Sequence, residues 1–242
     1  MLTLFFVDDL PTEPGSQYEF KNDDALHAIR VLRMKNGDLF NLSDGKGSWS
    51  HVEAIEVHKK HVTVQVIKSG HQEALDTHFT VIQAIPKGDR IKETIELCTE
   101  GGADRIVMWK ASRSIGKSDD KIEKLHVTAR EASKQSRRFR IPEVIGVAAT
   151  NAVVDQIAQA DLAIVFHESA TMKLSALLNS QGPTGFKKVA IIIGPEGGLT
   201  DDEIDTFAAA GAKVALMGRP ILRSAHAGLA ALSAVNTALS VW

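Results

Sequence analysis

The chemistry this chain can do starts where side chains are almost missing. An apolar run, Val189-Ala190-Ile191-Ile192-Ile193, empties straight into Gly194-Pro195-Glu196-Gly197-Gly198. Such a run reads as a buried strand, and the glycines after it leave peptide groups open to a flat ligand and free to take positive φ. Thr200 follows as a helix cap with Glu203 three residues on, the pairing of a capping box. Strand, glycine loop and helix start together predict a binding site at the carboxyl end of a parallel strand. A plain tight turn is the competing reading, since Gly-Pro and Gly-Gly are common turn signals. The chain has neither the G-x-G-x-x-G spacing of dinucleotide sites nor the G-x-x-x-x-G-K-[ST] spacing of phosphate loops.

Two more strand ends point to the same place. Residues 163–166 run into His167-Glu168-Ser169, and residues 215–217 into Gly218-Arg219-Pro220-Ile221-Leu222-Arg223. If the three strands are neighbours, their carboxyl ends share one crevice walled by Phe166, the glycine loop and residues 217–222. Apolar walls with many open backbone groups suit an adenine-bearing ligand better than a highly charged one. His167 and Glu168 are read as surface or supporting groups rather than catalysts.

A second constellation is basic. Lys110, Arg113, Lys117, Lys121, Lys124, Arg130, Lys134, Arg137, Arg138 and Arg140 outnumber the acids around them, although the whole chain carries a net charge of −2. Arg130, Lys134, Arg137 and Arg138 fall at i, i+4, i+7 and i+8, hence on one helix face, and Arg140 with Pro142 carries the strip into a loop. Contact with phosphates is the functional reading and a solvated helix face the other. His27, Arg30 and Arg33 recur every three residues nearer the N-terminus, as a phosphate-facing edge or an ordinary exposed stripe.

These groups need elements to hold them. A length of 242 residues with 44% apolar and 24% charged residues fits one large or two modest globular domains. Cys98 is the single cysteine, which excludes an internal disulfide and any multi-cysteine metal site and fits a reducing compartment; no metal is expected. The apolar run at residues 2–7 stops at Asp8 and Asp9, too short for a secretion signal or a membrane span, so a cytoplasmic protein without a membrane partner is expected. Residues 1–72 read as a small β-rich domain with strands over 39–42, 52–57 and 62–67, and turns at Asp44-Gly45-Lys46-Gly47 and 58–61. It also has one helix over 23–34, and Ser69-Gly70-His71-Gln72 follows as a linker. Residues 73–242 alternate strands over 79–85, 105–109, 163–166, 189–193 and 213–217 with helices over 89–100, 119–136 and 224–241. That alternation predicts an α/β domain with helices covering a parallel sheet.

Ile193-Gly194-Pro195-Glu196-Gly197-Gly198-Leu199-Thr200, followed by Met217-Gly218-Arg219-Pro220-Ile221-Leu222-Arg223, resembles the signature of the SPOUT-class ribosomal RNA methyltransferases. More narrowly, it resembles the family that methylates uracil N3 in small-subunit 16S rRNA. His27-Ala28-Ile29-Arg30-Val31-Leu32-Arg33 with Gly37-Asp38, Lys87-Gly88-Asp89-Arg90, Thr99-Glu100, Arg113-Ser114, Glu131-Ala132 with Gln135-Ser136-Arg137-Arg138, and Pro142 agree, in order, over nearly the whole chain. The resemblance implies a PUA-like β-barrel domain, then a SPOUT-like parallel sheet with a C-terminal trefoil knot, and a homodimer whose active sites use both subunits. It also implies S-adenosylmethionine as cofactor, held by Phe166, His167 and Glu168, by Ile193, Gly194, Pro195, Glu196, Gly197 and Gly198, and by Met217, Gly218, Ile221, Leu222 and Arg223. The implied partner is small-subunit rRNA, naked or in the assembled subunit. His27, Arg30, Arg33, Arg113, Arg130, Lys134, Arg137, Arg138 and Arg140 are the residues expected to meet it.

Two departures bear on mechanism. The usual Thr-Glu-Leu-Gly is Thr99-Glu100-Gly101-Gly102 here, and the usual Thr-Glu-Thr-Ala after Arg223 is Ser224-Ala225-His226-Ala227. No carboxylate stands at 225, and a titratable His226 stands beside it. A uracil N3 must lose its proton to be methylated, and the charge left on its imide oxygens calls for a cation. Arg223 is the first candidate, with Arg113, Arg137 or Arg138 of a second subunit next. His226, whose ordinary pKa is near ~6.5, Glu196 and solvent are the candidate proton acceptors. A related knotted enzyme acting on tRNA and a non-catalytic RNA-binding ribosome-assembly factor of the same fold are the alternatives.

Overall fold

The computed structural model describes residues 2–88, 90–115, 122–181 and 185–242. Asp89, Lys117, Asp119 and Lys121, which the sequence assigns to helix starts or to the basic run, lie outside these. Contacts divide the chain into two units, Met1–Ala74 with Ser133–Ile141, and Leu75–Ala132 with Pro142–Trp242.

The first unit contains β1 (Leu4–Phe6), β2 (Gln17–Phe20), α1 (Asp23–Arg30), β3 (Leu39–Ser43), β4 (Ser48–Val57) and β5 (Val62–His71). They form one sheet in the order β1-β3-β4-β5-β2, with β1 parallel to β3 and the other neighbours antiparallel. Period-two alternation decides the inner face. Val52 and Ala54 of β4 and Val62, Val64 and Val66 of β5 are buried together with Phe5, Phe20, Phe40 and the apolar side of α1. Register shifts between His51 and Val52 and between Ala54 and Glu56 curl the sheet, as bulges do. The expected turn joins β3 to β4, with Gly45 at φ +73 and Gly47 at φ +111.

Two expectations in this unit need correction. Residues 69–71 are not a linker: Ser69, Gly70 and His71 pair with Ser50, Trp49 and Ser48 and finish β5. The missing side chain at Gly70 makes room for the Trp49 ring, which a Cβ there would meet at 2.6 Å. The helix expected over 23–34 stops at Arg30. Asn22 caps its start by accepting from the Ala25 N–H. At its end the N–H groups of Val31 and Leu32 both donate to the His27 carbonyl, and Arg33 turns out of the helix at φ +55.

The second unit runs through β6 (His78–Ala84), α2 (Arg90–Glu100), β7 (Arg105–Trp109), α3 (Ile122–Ser136), β8 (Glu143–Ala148) and α4 (Thr150–Ala158). It continues with β9 (Leu162–Phe166), α5 (Leu174–Gln181), β10 (Lys188–Ile193), α6 (Asp201–Ala209), β11 (Lys213–Ala215) and α7 (Ser224–Ala238). The last turn of α3 counts with the first unit. All six strands pair in parallel, in the order β11-β9-β10-β6-β7-β8. The central strands are nearly continuous apolar runs because both faces are covered: Ile82, Val107, Val165 and Ile192 share one core with Trp109, whose ring meets Phe207 edge-on at 5.2 Å. On the other side α2 and α7 pack closely enough that a Cβ on Gly228 would meet the Cys98 sulfur at 2.8 Å. Burial pushes the Cys98 thiol up to about 12, so this cysteine is a packing group and not a nucleophile.

Candidate functional site

Strand order brings the three expected loops together. β9 lies between β11 and β10, with Phe166 opposite both Ala215 and Ile193, so the chain leaves three adjacent strands at one end of the sheet. The loops enclose a cavity of about 610 Å³, within the size range of small-molecule sites. Of the expected cofactor contacts, every one except Gly197 lines it, and Arg90, Leu199, Ser224 and Ala227 join the wall.

The glycine loop is held from three directions. Gly198, at φ +74, donates its N–H to the Pro195 carbonyl at 2.9 Å and closes a tight turn that a side chain would strain. Thr200 and Glu203 then form the expected capping box, with Thr200 Oγ1 accepting from the Glu203 N–H and the Glu203 carboxylate accepting from the Thr200 N–H. Glu203 is only 5% exposed and also accepts from the Ser112 N–H at 2.7 Å. Burial pushes its pKa up, but the hydrogen bonds from Ser112 and Thr200 together outweigh that and hold it below the usual glutamate value. One carboxylate thus clamps the loop after β7 to the start of α6. Beside it Arg113 donates from one guanidinium nitrogen to the carbonyls of Gly197 and Leu199, at 3.2 and 3.3 Å. Gly197 rests against Arg113, where an added Cβ would lie 3.2 Å from the arginine Cβ. Arg113 therefore buttresses the glycine loop of its own chain.

The opposite anchor is a buried polar relay. Gln83, at the end of β6 and fully buried, donates from Nε2 to Ser224 Oγ at 2.8 Å, and Ser224 Oγ donates to the Gly194 carbonyl at 2.8 Å. The first residue of α7 is thereby tied to the first residue of the glycine loop. The third wall is different in kind. Among the described residues, the backbone from 217 to 222 makes no hydrogen bond within the chain, and Ile221 and Leu222 expose 80% and 42% of their surface. On the remaining side His167 Nδ1 is held by Ser169, whose hydroxyl lies at 2.8 Å.

Three charged groups meet this cavity in distinct ways. Glu196 accepts from the Lys87 N–H at 3.1 and 3.2 Å, and its carboxylate lies 3.7 Å from the Arg90 guanidinium. Arg223 lines the wall as the residue before α7, and its guanidinium makes no hydrogen bond or ion pair among the described residues. His226 is placed elsewhere: it pairs with Glu93 of α2 at 3.0 Å, both side chains about half exposed, while Ser224 and Ala227, three apart on the helix, face the cavity. The sequence signals Arg90 through Lys87-Gly88-Asp89-Arg90; for Gln83 the only signal is an amide inside an apolar strand.

The residues expected to meet RNA do not form one continuous strip. In the first unit Lys134 is paired with Asp24 at 2.6 Å, with 11% and 13% of the two side chains exposed, so it has an acidic partner that its own helix does not supply. After Ser136 the chain reverses: Arg137 takes φ +56, its N–H donates to the Lys134 carbonyl and the Arg138 N–H to that of Ser133. This is a Schellman ending with arginine where glycine is usual, and it takes Arg137 and Arg138 off the helix face that carries Arg130 and Lys134. Arg137 Nε donates to the Leu2 carbonyl, and Arg140 donates twice to the Gln72 carbonyl. His27, Arg30 and Arg33 are exposed, with Arg33 beyond the end of α1. Among the described residues no group of His, Cys, Asp and Glu could hold a metal, and no helix is long and apolar enough to cross a membrane.

Comparison with known proteins bears on both units. Residues 73–236 match an RNA methyltransferase domain and residues 20–67 an RNA methyltransferase PUA domain. The chain is 32% identical to the ribosomal RNA small subunit methyltransferase E of Mycobacterium bovis, over 99% of this chain and 93% of that protein. It is 29% identical to the protein of the same name from Bacillus subtilis, over 97% of this chain and 93% of that one. Its fold matches the crystal structure of a ribosomal RNA small subunit methyltransferase E from Neisseria gonorrhoeae bound to S-adenosyl methionine, with a TM-score of 0.85 over 98% of both chains at 23% identity.

Proposed function

Since the chain belongs to the family of ribosomal RNA small subunit methyltransferase E, we propose that it transfers a methyl group from S-adenosylmethionine to N3 of a uracil in small-subunit 16S rRNA. The observation that carries the reading is the backbone-walled cavity at the ends of β9, β10 and β11. Its chemistry fits the cofactor. The 217–222 segment offers unpaired amides and carbonyls for the edge of an adenine, and Phe166, Ile221 and Leu222 offer apolar surface for its faces. Gly194 and Gly198 let the main chain come close. When bound, the cofactor would supply an electrophilic methyl group on a positively charged sulfur.

The chain's own residues then have three tasks. Alignment falls to the glycine loop, fixed by the Gln83–Ser224–Gly194 relay and by Arg113; a methyl transfer gains most from such positioning. Charge stabilisation falls to Arg223, whose guanidinium, unpaired among the described residues, can meet an imide oxygen of uracil as N3 loses its proton. Proton acceptance is assigned to Glu196, the carboxylate that both lines the wall and is held by the Lys87 N–H. His226 is left to pair with Glu93. The same reading includes a C-terminal trefoil knot, a homodimer, and a cytoplasmic setting where small subunits are assembled.

The test is to incubate the protein with methyl-labelled S-adenosylmethionine and, in separate reactions, small subunits, naked 16S rRNA or tRNA, then to digest the RNA and identify the labelled nucleoside by mass spectrometry. Label in 3-methyluridine is expected. Label confined to tRNA or to another nucleoside, or no transfer to any RNA, would sink the proposal.

A further inference from the structure

We propose that the outward face of the small sheet carries a second RNA-contacting site, a hollow that holds one unpaired nucleotide by stacking its base on Trp49 and Phe139 and meeting its phosphate with Lys68. The proposal rests on the RNA-methylating reading above and says where RNA flanking the target is gripped.

The hollow, about 520 Å³, lies wholly within the first unit. Alternation along β4 puts Ser50, Val52 and Ala54 inward, so Trp49 and His51 must face away from the core. Trp49 lies over Gly70, its cross-strand partner, and stacks on Phe139 with ring centroids 5.7 Å apart and planes 19° from parallel. Two half-buried aromatic rings thus lie together outside the buried core of the unit, and apolar surface gathered in one patch marks an interaction site. The next cross-strand row is Asn41, His51 and Lys68. His51 Nδ1 lies 3.2 Å from Asn41 Oδ1, and Lys68 Nζ sits 6.0 Å from the Trp49 ring centre. Arg140 stiffens the rim by binding the Gln72 carbonyl and lying 2.9 Å from His71 Nε2.

Each part matches one part of a nucleotide. Flat rings take a base face, the amide and imidazole take donors and acceptors on its edge, and the ammonium takes the phosphate. A peptide would need a longer groove or a partner charge pattern, and a duplex cannot present a base face.

Binding of a short fluorescein-labelled oligoribonucleotide of alternating adenosine and uridine to the full-length protein tests this. Trp49→Leu should weaken binding roughly 5- to 150-fold, the range for one lost base–aromatic stack, while Trp49→Phe keeps most of it. Lys68→Gln, at an exposed position, should weaken binding and lower the salt slope by about one. A self-complementary duplex of similar length should show no dependence on residue 49. Circular dichroism and a cooperative unfolding transition like that of wild type report that the first unit, which holds both positions, stays folded in each variant. The site is refuted if Trp49→Leu and Lys68→Gln both bind the single strand within twofold of wild type. Methyl transfer by the unaltered protein is scored separately: its absence overturns the function, whereas the binding loss in Trp49→Leu would still support the site.

Discussion

Arg223 is the residue on which the proposed chemistry depends most, because it is a cation on the cavity wall that forms no ion pair or hydrogen bond among the described residues. Removing a donor that acts mainly on developing charge typically costs about 10²- to 10³-fold in kcat. Arg223→Ala should therefore lose turnover on that scale with cofactor affinity changed little, measured by single-turnover methylation beside calorimetry; full turnover in the variant would remove the role. Glu203 makes the complementary case of a charged group used for structure. Its carboxylate accepts from Ser112 and Thr200, so its folded pKa lies below the ordinary glutamate value of 4.5. A depressed carboxylate contributes stability above its unfolded pKa and loses it as pH falls through the folded value. Glu203→Gln should cost about 1–3 kcal/mol at neutral pH, and urea unfolding should show the gap to wild type closing below about pH 4.5. A gap that stays constant into acid would mean that the charge on Glu203 is not what holds the loops.

Element packing reverses what propensity alone would say at Gly228. A glycine inside a helix costs about 1 kcal/mol relative to alanine, so Gly228→Ala in α7 should stabilise if α7 stood alone. Its Cβ would lie 2.8 Å from the buried Cys98 sulfur, and overpacking of that kind costs about 1–3 kcal/mol. The net expectation is destabilisation of about 1 kcal/mol in chemical denaturation, cancelled or reversed when Cys98→Ala is added; additive effects of the two substitutions would contradict the contact. The same contrast between local signal and packing governs how much could be read from the chain. β6, β9 and β10 stand out as apolar runs because parallel strands are buried on both faces, and the glycine loop is legible because it follows one of them. β1, with three residues, and β2, where only Phe20 is buried, are too short for periodicity to register. Gly146 interrupts β8, and α4 has no side-chain cap. The Gln83–Ser224 link joins residues 141 positions apart, and only strand order brings them together. His226 reads as a candidate proton acceptor because it is titratable and stands beside position 225, where the usual carboxylate is missing, but helix geometry turns it toward Glu93.

At the scale of the whole molecule, the division into two units does not follow a single cut in the chain. Ser133–Ile141 belongs by contact with the first 74 residues, and it brings Lys134 to Asp24 and Phe139 to Trp49. A fragment ending at Ala74 keeps the sheet strands but leaves Asp24, with 13% of its side chain exposed, without its lysine. Breaking a largely buried ion pair on one side costs about 3–5 kcal/mol, a large part of the ~5–15 kcal/mol that holds a domain folded. Phe139 and the backbone bonds that Phe139 and Ile141 make to Gly47 and Gly45 are lost with it. Residues 1–74 alone should therefore be largely unfolded by circular dichroism and amide dispersion. Joining residues 133–141 to them through a flexible linker should restore cooperative unfolding. The variant Lys134→Met in the joined fragment separates charge from packing: because it removes the lysine that Asp24 pairs with and leaves Phe139 and its backbone bonds in place, it should lose a measurable part of what the added segment restores. If residues 1–74 unfold as cooperatively as the joined fragment, the first unit is complete without its borrowed segment, and the ion pair between Asp24 and Lys134 is not what closes it.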